Sequence, residues 1–250
     1  MQTVVDSLLT NYETKGSSKV VLFLHGWADN LSTFQVLQDE LSDEYQTVSV
    51  DLPGFGESQT PSKAWTLDDY VNFINHFLEK TKTQPAAIVG HSLGGTIAIR
   101  GVATKSLTPK KIVLLAAAGI RTNLGLRKTI FKLIAKTGKL LTKVFPWQIR
   151  NKLRNKLYKA AKSDMLIAGH MEDTFKKVVS QDVAADATKI KVPTLIIYGD
   201  KDTDTPPDYG QTFQRAIASS SLEIIPGAGH FVHHDEPEVV IEKIRKFIND

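Results

Sequence analysis

Short, continuous apolar runs punctuate this chain. Val20–Leu24, ending at His25-Gly26, reads as a strand covered on both faces, because a strand with one wet face would alternate apolar and polar positions instead. Similar runs at 47–50, 86–89, 112–115, 194–198 and 222–225 predict further strands. Between them apolar residues recur at helical spacing over 31–41, 67–78, 93–104 and 237–248; in the second of these, Tyr70, Val71, Ile74, Phe77 and Leu78 share one face. Strands alternating with helices predict the α/β class, a mostly parallel central sheet flanked by helices, with functional residues in loops at the carboxyl ends of strands. Over 119–187 the alternation stops and helical periodicity takes over. This predicts a helical lid inserted into a core formed by 1–118 and 188–250.

Composition narrows the chemistry. Hydrophobic residues make up 42% and charged residues 23% of the 250 positions, which is ordinary globular usage and excludes a disordered or fibrous chain. No cysteine is present, so a disulfide framework, a thiol nucleophile and a thiolate metal site are all excluded. No basic-then-apolar leader opens the chain and no apolar run approaches a membrane span, so the expected location is the cytoplasm.

The net charge of +4 is confined to one stretch. From Arg121 to Lys162 there are thirteen Lys or Arg and no Asp or Glu. At 100° per residue Lys128, Lys132, Lys136, Lys139 and Lys143 fall in a narrow arc opposite Ile130, Leu133, Ile134, Leu140, Leu141 and Val144. One reading packs the apolar stripe over a pocket and leaves the lysines in water. The other uses the basic face for a weak contact with anionic membrane surfaces or for steering acidic substrates. Nucleic acid is not an expected partner, since aromatic residues are sparse there and no recognition motif accompanies the charge.

The sharpest motif follows the predicted strand 86–89. Gly90-His91-Ser92-Leu93-Gly94 fits Gly-x-Ser-x-Gly between a strand and a helix, where small flanking residues allow a tight turn that lifts a serine hydroxyl above the sheet. The Leu93 amide and the positive end of the following helix face any anion formed at Ser92. A glycine-rich helix start with a capping serine is the bland alternative.

With this motif in place the chain resembles the α/β-hydrolase superfamily, over nearly its whole length apart from the lid. His25-Gly26-Trp27 is similar to that family's oxyanion loop, which implies that the Trp27 amide joins that of Leu93, with His25 as a structural support. Asp51-Leu52-Pro53-Gly54-Phe55-Gly56-Glu57-Ser58 is similar to a turn that shapes the pocket wall in many members. Against the family pattern, only nineteen residues precede Val20. The expectation is a truncated sheet with a single strand near 8–12.

A serine hydroxyl needs a base, and the base needs an orienting carboxylate. The loop after 194–198 carries Asp200, Asp202 and Asp204. Spacing does not choose among them, whereas the resemblance aligns Asp202 with the family acid. The strand 222–225 leads through Pro226-Gly227-Ala228-Gly229 to His230, similar to the family's catalytic histidine loop. His233 and His234 are expected in a solvated or helix-start role. No ligand cluster predicts a metal, and no cofactor is implied. Related dehalogenases and epoxide hydrolases carry an aspartate where this chain has Ser92. The resemblance therefore implies a carboxylic ester hydrolase acting on a small ester or lactone with an apolar acyl part. Acyl lactone or carbon–carbon bond hydrolysis would use the same triad, and a non-catalytic receptor is the reading from another class.

Overall fold

A computed structural model describes residues 1–121 and 171–250. The basic helical pattern anticipated over 121–162 lies outside the described residues, apart from Arg121.

Eight strands form one sheet: β1 (Gln2–Val5), β2 (Leu8–Lys15), β3 (Val20–Leu24), β4 (Gln46–Val50), β5 (Pro85–His91), β6 (Lys111–Leu115), β7 (Thr194–Gly199) and β8 (Ser220–Ile225), in the order β1-β2-β4-β3-β5-β6-β7-β8. From β4 to β8 all neighbours run parallel, while β1 and β2 pair antiparallel with each other and β2 antiparallel with β4. The expectation of a truncated sheet with one early strand is corrected. Asp6 and Ser7, both in the left-handed region (φ 50° and 64°), form a two-residue turn that joins β1 to β2. Two left-handed residues match the twist of a tight hairpin.

Apart from the edge strand β8, the parallel strands bury both faces. Leu22, Leu24, Ile88, Ile112, Leu114 and Ile196 point into one core layer, and Val21, Phe23, Val89, Val113, Leu115 and Ile197 into the other. This division explains the absence of alternation in their sequences. The first layer is closed by α2 (Leu67–Thr81) through Tyr70, Ile74 and Phe77 and by α3 (Leu93–Ala103) through Ile97, and the second by α1 (Gln35–Leu41) through Leu37 and Leu41. The predicted helix over 31–41 begins as a 3₁₀ turn, Leu31–Phe34, capped by the Asn30 side chain. Helix α2 starts at a reciprocal cap in which Thr66 Oγ1 accepts from the Asp69 amide and Asp69 Oδ2 from the Thr66 amide.

Five more helices are described: α4 (Glu172–Val179), α5 (Ala184–Ala187), α6 (Pro207–Ala216), α7 (Val232–Asp235) and α8 (Pro237–Asn249). Helix α8 presents Val240, Ile241 and Ile244 to the second layer. Helix α6, not anticipated from the sequence, packs Phe213 with Tyr209 and Ala216 against the first core layer. The chain leaves β6 near Gly119 and returns at Val183, and the two places are tied: the Val183 amide donates to the Gly119 carbonyl (2.9 Å) and the Arg121 amide to Asp182 Oδ2 (3.2 Å). No helix among the described residues is long and apolar enough to cross a membrane.

Candidate active site

At the carboxyl end of β5 the chain reverses into α3 within one residue. Ser92 sits there at φ 48°, ψ −108°, a conformation a residue with a β-carbon adopts only under constraint. The constraint is steric and comes from its neighbours. A β-carbon on Gly90 would stand 2.5 Å from the Gly94 carbonyl carbon, and one on Gly94 would strike the Leu24 carbonyl oxygen. Strand and helix can approach this closely only with glycine at both positions. The Ser92 backbone is then fastened on both sides, its amide donating to Leu115 O (3.0 Å) and its carbonyl accepting from the amides of Thr96 (3.1 Å) and Ala118 (3.2 Å). Ala28 and Ala116, beside it, also have positive φ (57° and 45°), so backbone strain gathers around this point.

The loops after β7 and β8 face Ser92. Asp202 is buried, with its side chain wholly out of solvent. Its Oδ1 accepts from the amides of Asp204 (2.8 Å) and Thr205 (2.9 Å), and its Oδ2 from Thr205 Oγ1 (2.7 Å) and His230 Nδ1 (2.9 Å). Desolvation is the largest single influence on this carboxyl and pushes it up. The bonds from His230 and Thr205 together outweigh it and hold Asp202 below its ordinary value. Asp200 instead accepts from the Gly227 amide (2.7 Å), which staples the two loops together. Asp204 is exposed on the cavity wall. Of the three aspartates, the structure brings Asp202 to the imidazole, holds Asp200 against the Gly227 amide and leaves the Asp204 side chain exposed at the cavity. With Nδ1–H directed at a carboxylate, the Nε2 lone pair of His230 is left for another partner.

Ser92, His230, Trp27 and Leu93 line one cavity of about 280 Å³. Among the described residues the Ser92 hydroxyl and the imidazole form no direct hydrogen bond; in ligand-free hydrolytic sites such bonds are often loose and tighten with substrate. The Trp27 loop is braced by His25, whose Nδ1–H donates to Gly26 O (2.7 Å) while Nε2 accepts from the Leu52 amide (2.9 Å). Burial lowers the His25 pKa, which keeps that accepting lone pair available. Asp51 anchors the 51–58 turn through the amides of Leu31 (2.7 Å) and Glu57 (2.9 Å). Ile120, Phe175 and Val178 give the cavity an apolar wall, and Thr96, Gln181 and Tyr209 add polar groups. Among the described residues no group of three or more His, Asp or Glu could hold a metal ion.

His233 corrects the expectation of a solvated role. It is 1% exposed, stacked on Phe34, with Nε2 3.1 Å from Thr33 Oγ1, whereas His234 is exposed in α7 and donates from Nε2 to Thr33 O (2.8 Å). His91, also buried, packs between His230 and His233 at ring separations of 4.8 and 4.7 Å and donates from Nε2 to the His230 carbonyl (3.1 Å). Burial first, then the neighbouring imidazoles, pushes His91 well below the ordinary histidine range and His233 down to about 3. Both are neutral packing groups behind His230, the one histidine among the described residues that lines the cavity. Sequence reading missed this layer because nothing local marks His91 or His233 as buried.

Comparison with known proteins supplies the wider context. Residues 21–243 match the model of the "Alpha/beta hydrolase family". The "AB hydrolase superfamily protein YisY" of Bacillus subtilis is 28% identical over 95% of this chain and 94% of its own length. A 2-(acetamidomethylene)succinate hydrolase of Mesorhizobium japonicum is 26% identical over 98% and 93%. The solved structure of an esterase from Exiguobacterium antarcticum superposes with a TM-score of 0.78 at 24% identity and covers both chains completely.

Proposed function

The chain belongs to the α/β hydrolase family, and from that premise we propose that it is a serine hydrolase of small carboxylic esters. Ser92 Oγ attacks the acyl carbon while His230 Nε2 takes its proton, and Asp202 holds the imidazole in the tautomer that leaves Nε2 free. The amides of Trp27 and Leu93 receive the oxyanion. The imidazolium returns the proton to the leaving alcohol, water repeats the sequence on the acyl-enzyme, and the acid departs. Positioned proton transfer contributes about 10² to 10⁴ in rate, and an oxyanion donor about 10² to 10³.

One observation carries this reading: the His230–Asp202 pair, bonded at 2.9 Å, shares a cavity with a serine held at the strained junction of strand and helix. The cavity lies near the lower end of the roughly 300–1,000 Å³ typical of small-molecule sites, which favours a short substrate. Ile120, Phe175 and Val178, all within 119–187, offer its acyl part an apolar wall. That stretch is the proposed cover of the site. A cyclic ester differs only in keeping its leaving group attached, so lactone hydrolysis uses the same groups.

A fluorophosphonate probe tests the proposal. The expected outcome is stoichiometric labelling at Ser92 by mass spectrometry, with labelling and hydrolysis of 4-nitrophenyl acetate abolished in Ser92→Ala. Near-normal turnover by that variant would overturn the reading, and a receptor using this fold would label slowly or not at all. A panel of nitrophenyl esters beside acyl lactones then separates the two substrate classes.

A further inference from the structure

Thr205 occupies a position that no simple packing role requires. Its side chain is buried at the first turn beyond the acid loop, and its hydroxyl stands at the meeting point of three groups: Asp202 Oδ2 at 2.7 Å, Ala116 O at 3.0 Å and His230 Nδ1 at 3.1 Å. A hydroxyl has one proton and two lone pairs. With the proton given to the carboxylate, the nearer of the two acceptors, the oxygen meets Nδ1 with a lone pair. The Ala116 carbonyl is itself set by a left-handed residue, at φ 45°, directly after β6. The backbone amide of Thr205 binds the other oxygen of the same aspartate at 2.9 Å.

We propose that Thr205 is a positioning residue of the proposed serine hydrolase, clamping Asp202 and His230 into one orientation through its hydroxyl. The inference rests on the reading given under Proposed function. Asp202 alone offers Nδ1–H a single acceptor, around which an imidazole ring can rock. A second oxygen at 3.1 Å makes the acceptor two-pointed and restricts that motion. The Ala116 carbonyl, 3.0 Å from the same oxygen, directly follows β6, whose Leu115 carbonyl receives the Ser92 amide, so the clamp sits against the strand end that also holds the serine. Nucleophile and base are thereby referred to the same strand. Displacement of a reacting group by about 1 Å can cost about 100-fold in rate, so such a reference has kinetic consequences.

The test uses the full chain with 4-nitrophenyl acetate and two variants of opposite logic. Thr205→Val keeps the shape and removes the hydroxyl; Thr205→Ser keeps the hydroxyl and removes the methyl. The expected result is a kcat lowered about 10-fold to 100-fold in Thr205→Val, with KM changed less than about 2-fold, and a kcat within about 3-fold of the parent in Thr205→Ser. Thermal unfolding verifies that each variant is folded, and Thr205→Ala replaces Thr205→Val if the latter is not. A Thr205→Val enzyme with full kcat, or a Thr205→Ser enzyme as slow as Thr205→Val, overturns the clamp. Either result leaves the serine mechanism standing if Ser92→Ala is inactive, whereas an active Ser92→Ala removes that mechanism itself.

Discussion

The turn at Ser92 and the paired loops of Asp202 and His230 hold their residues by different means. At Ser92 the backbone does the holding: two glycines admit a close approach of strand and helix, and the serine takes a strained conformation as the result. At Asp202 and His230 the backbone is ordinary, and side chains do the holding through a set of hydrogen bonds around one buried carboxylate. Steric holding leaves a fixed spacing in the sequence. Hydrogen-bonded holding leaves candidates that only the folded chain can rank.

The contrast can be broken at either end. After the loss of activity set out for Ser92→Ala, the largest effect is expected at Asp202. Asp202→Asn should lower kcat on the order of 10⁴-fold with the fold intact, because an amide can hold the wrong imidazole tautomer. Asp200→Asn and Asp204→Asn should leave kcat within the same order of magnitude. Steady-state kinetics on the three variants checks the ranking that geometry makes, and a large loss in Asp204→Asn would reverse it. At the turn, Gly94→Ala should act on stability first, since its methyl meets the Leu24 carbonyl. A loss of about 3 kcal/mol or more is expected in chemical unfolding, and a variant as stable as the parent would show that the turn relaxes.

A smaller effect comes from the histidine layer. His233 has its pKa lowered from 6.5 to about 3, so below pH 6.5 the unfolded chain binds a proton that the folded chain refuses. Its contribution to stability is complete above pH 6.5 and declines as pH falls toward 3, by at most about 1.4 kcal/mol per pH unit. Urea unfolding across this range should give a shallower pH dependence for His233→Phe than for the parent. Equal slopes would mean that His233 already carries its proton in the folded state.

The same distinction governs what was legible beforehand. The strands from β3 to β7 could be read because both their faces are covered, which leaves largely apolar runs, whereas β8 carries Glu223 and the exposed Ile224 within its run. Their limits moved by a residue or two, as with 86–89, which extends over Pro85–His91. Of the first hairpin only a strand near 8–12 could be read. Strand β1 has four residues, two of them exposed, and Asp6-Ser7 turns without the glycine that usually advertises two left-handed residues. Helix α6 escaped because its apolar stripe of Tyr209, Phe213 and Ala216 is short, opens at Pro206-Pro207 and is interrupted by Gly210, which together read as a turn. At the site, Gly-x-Ser-x-Gly located the serine from residues alone, while Asp202 was separated from Asp200 and Asp204 only by resemblance. Thr205 carried no signal, because a threonine beside two prolines reads as a turn.

The tie between Gly119 and Val183 has a consequence for how such a protein diversifies. With departure and return already fastened to each other, a substitute stretch of another length inherits both attachment points unchanged. Closing a longer excursion costs only about 0.6 kcal/mol per doubling of its length. Selection can therefore exchange the stretch between the two points while the sheet and the candidate site beside it stay as they are.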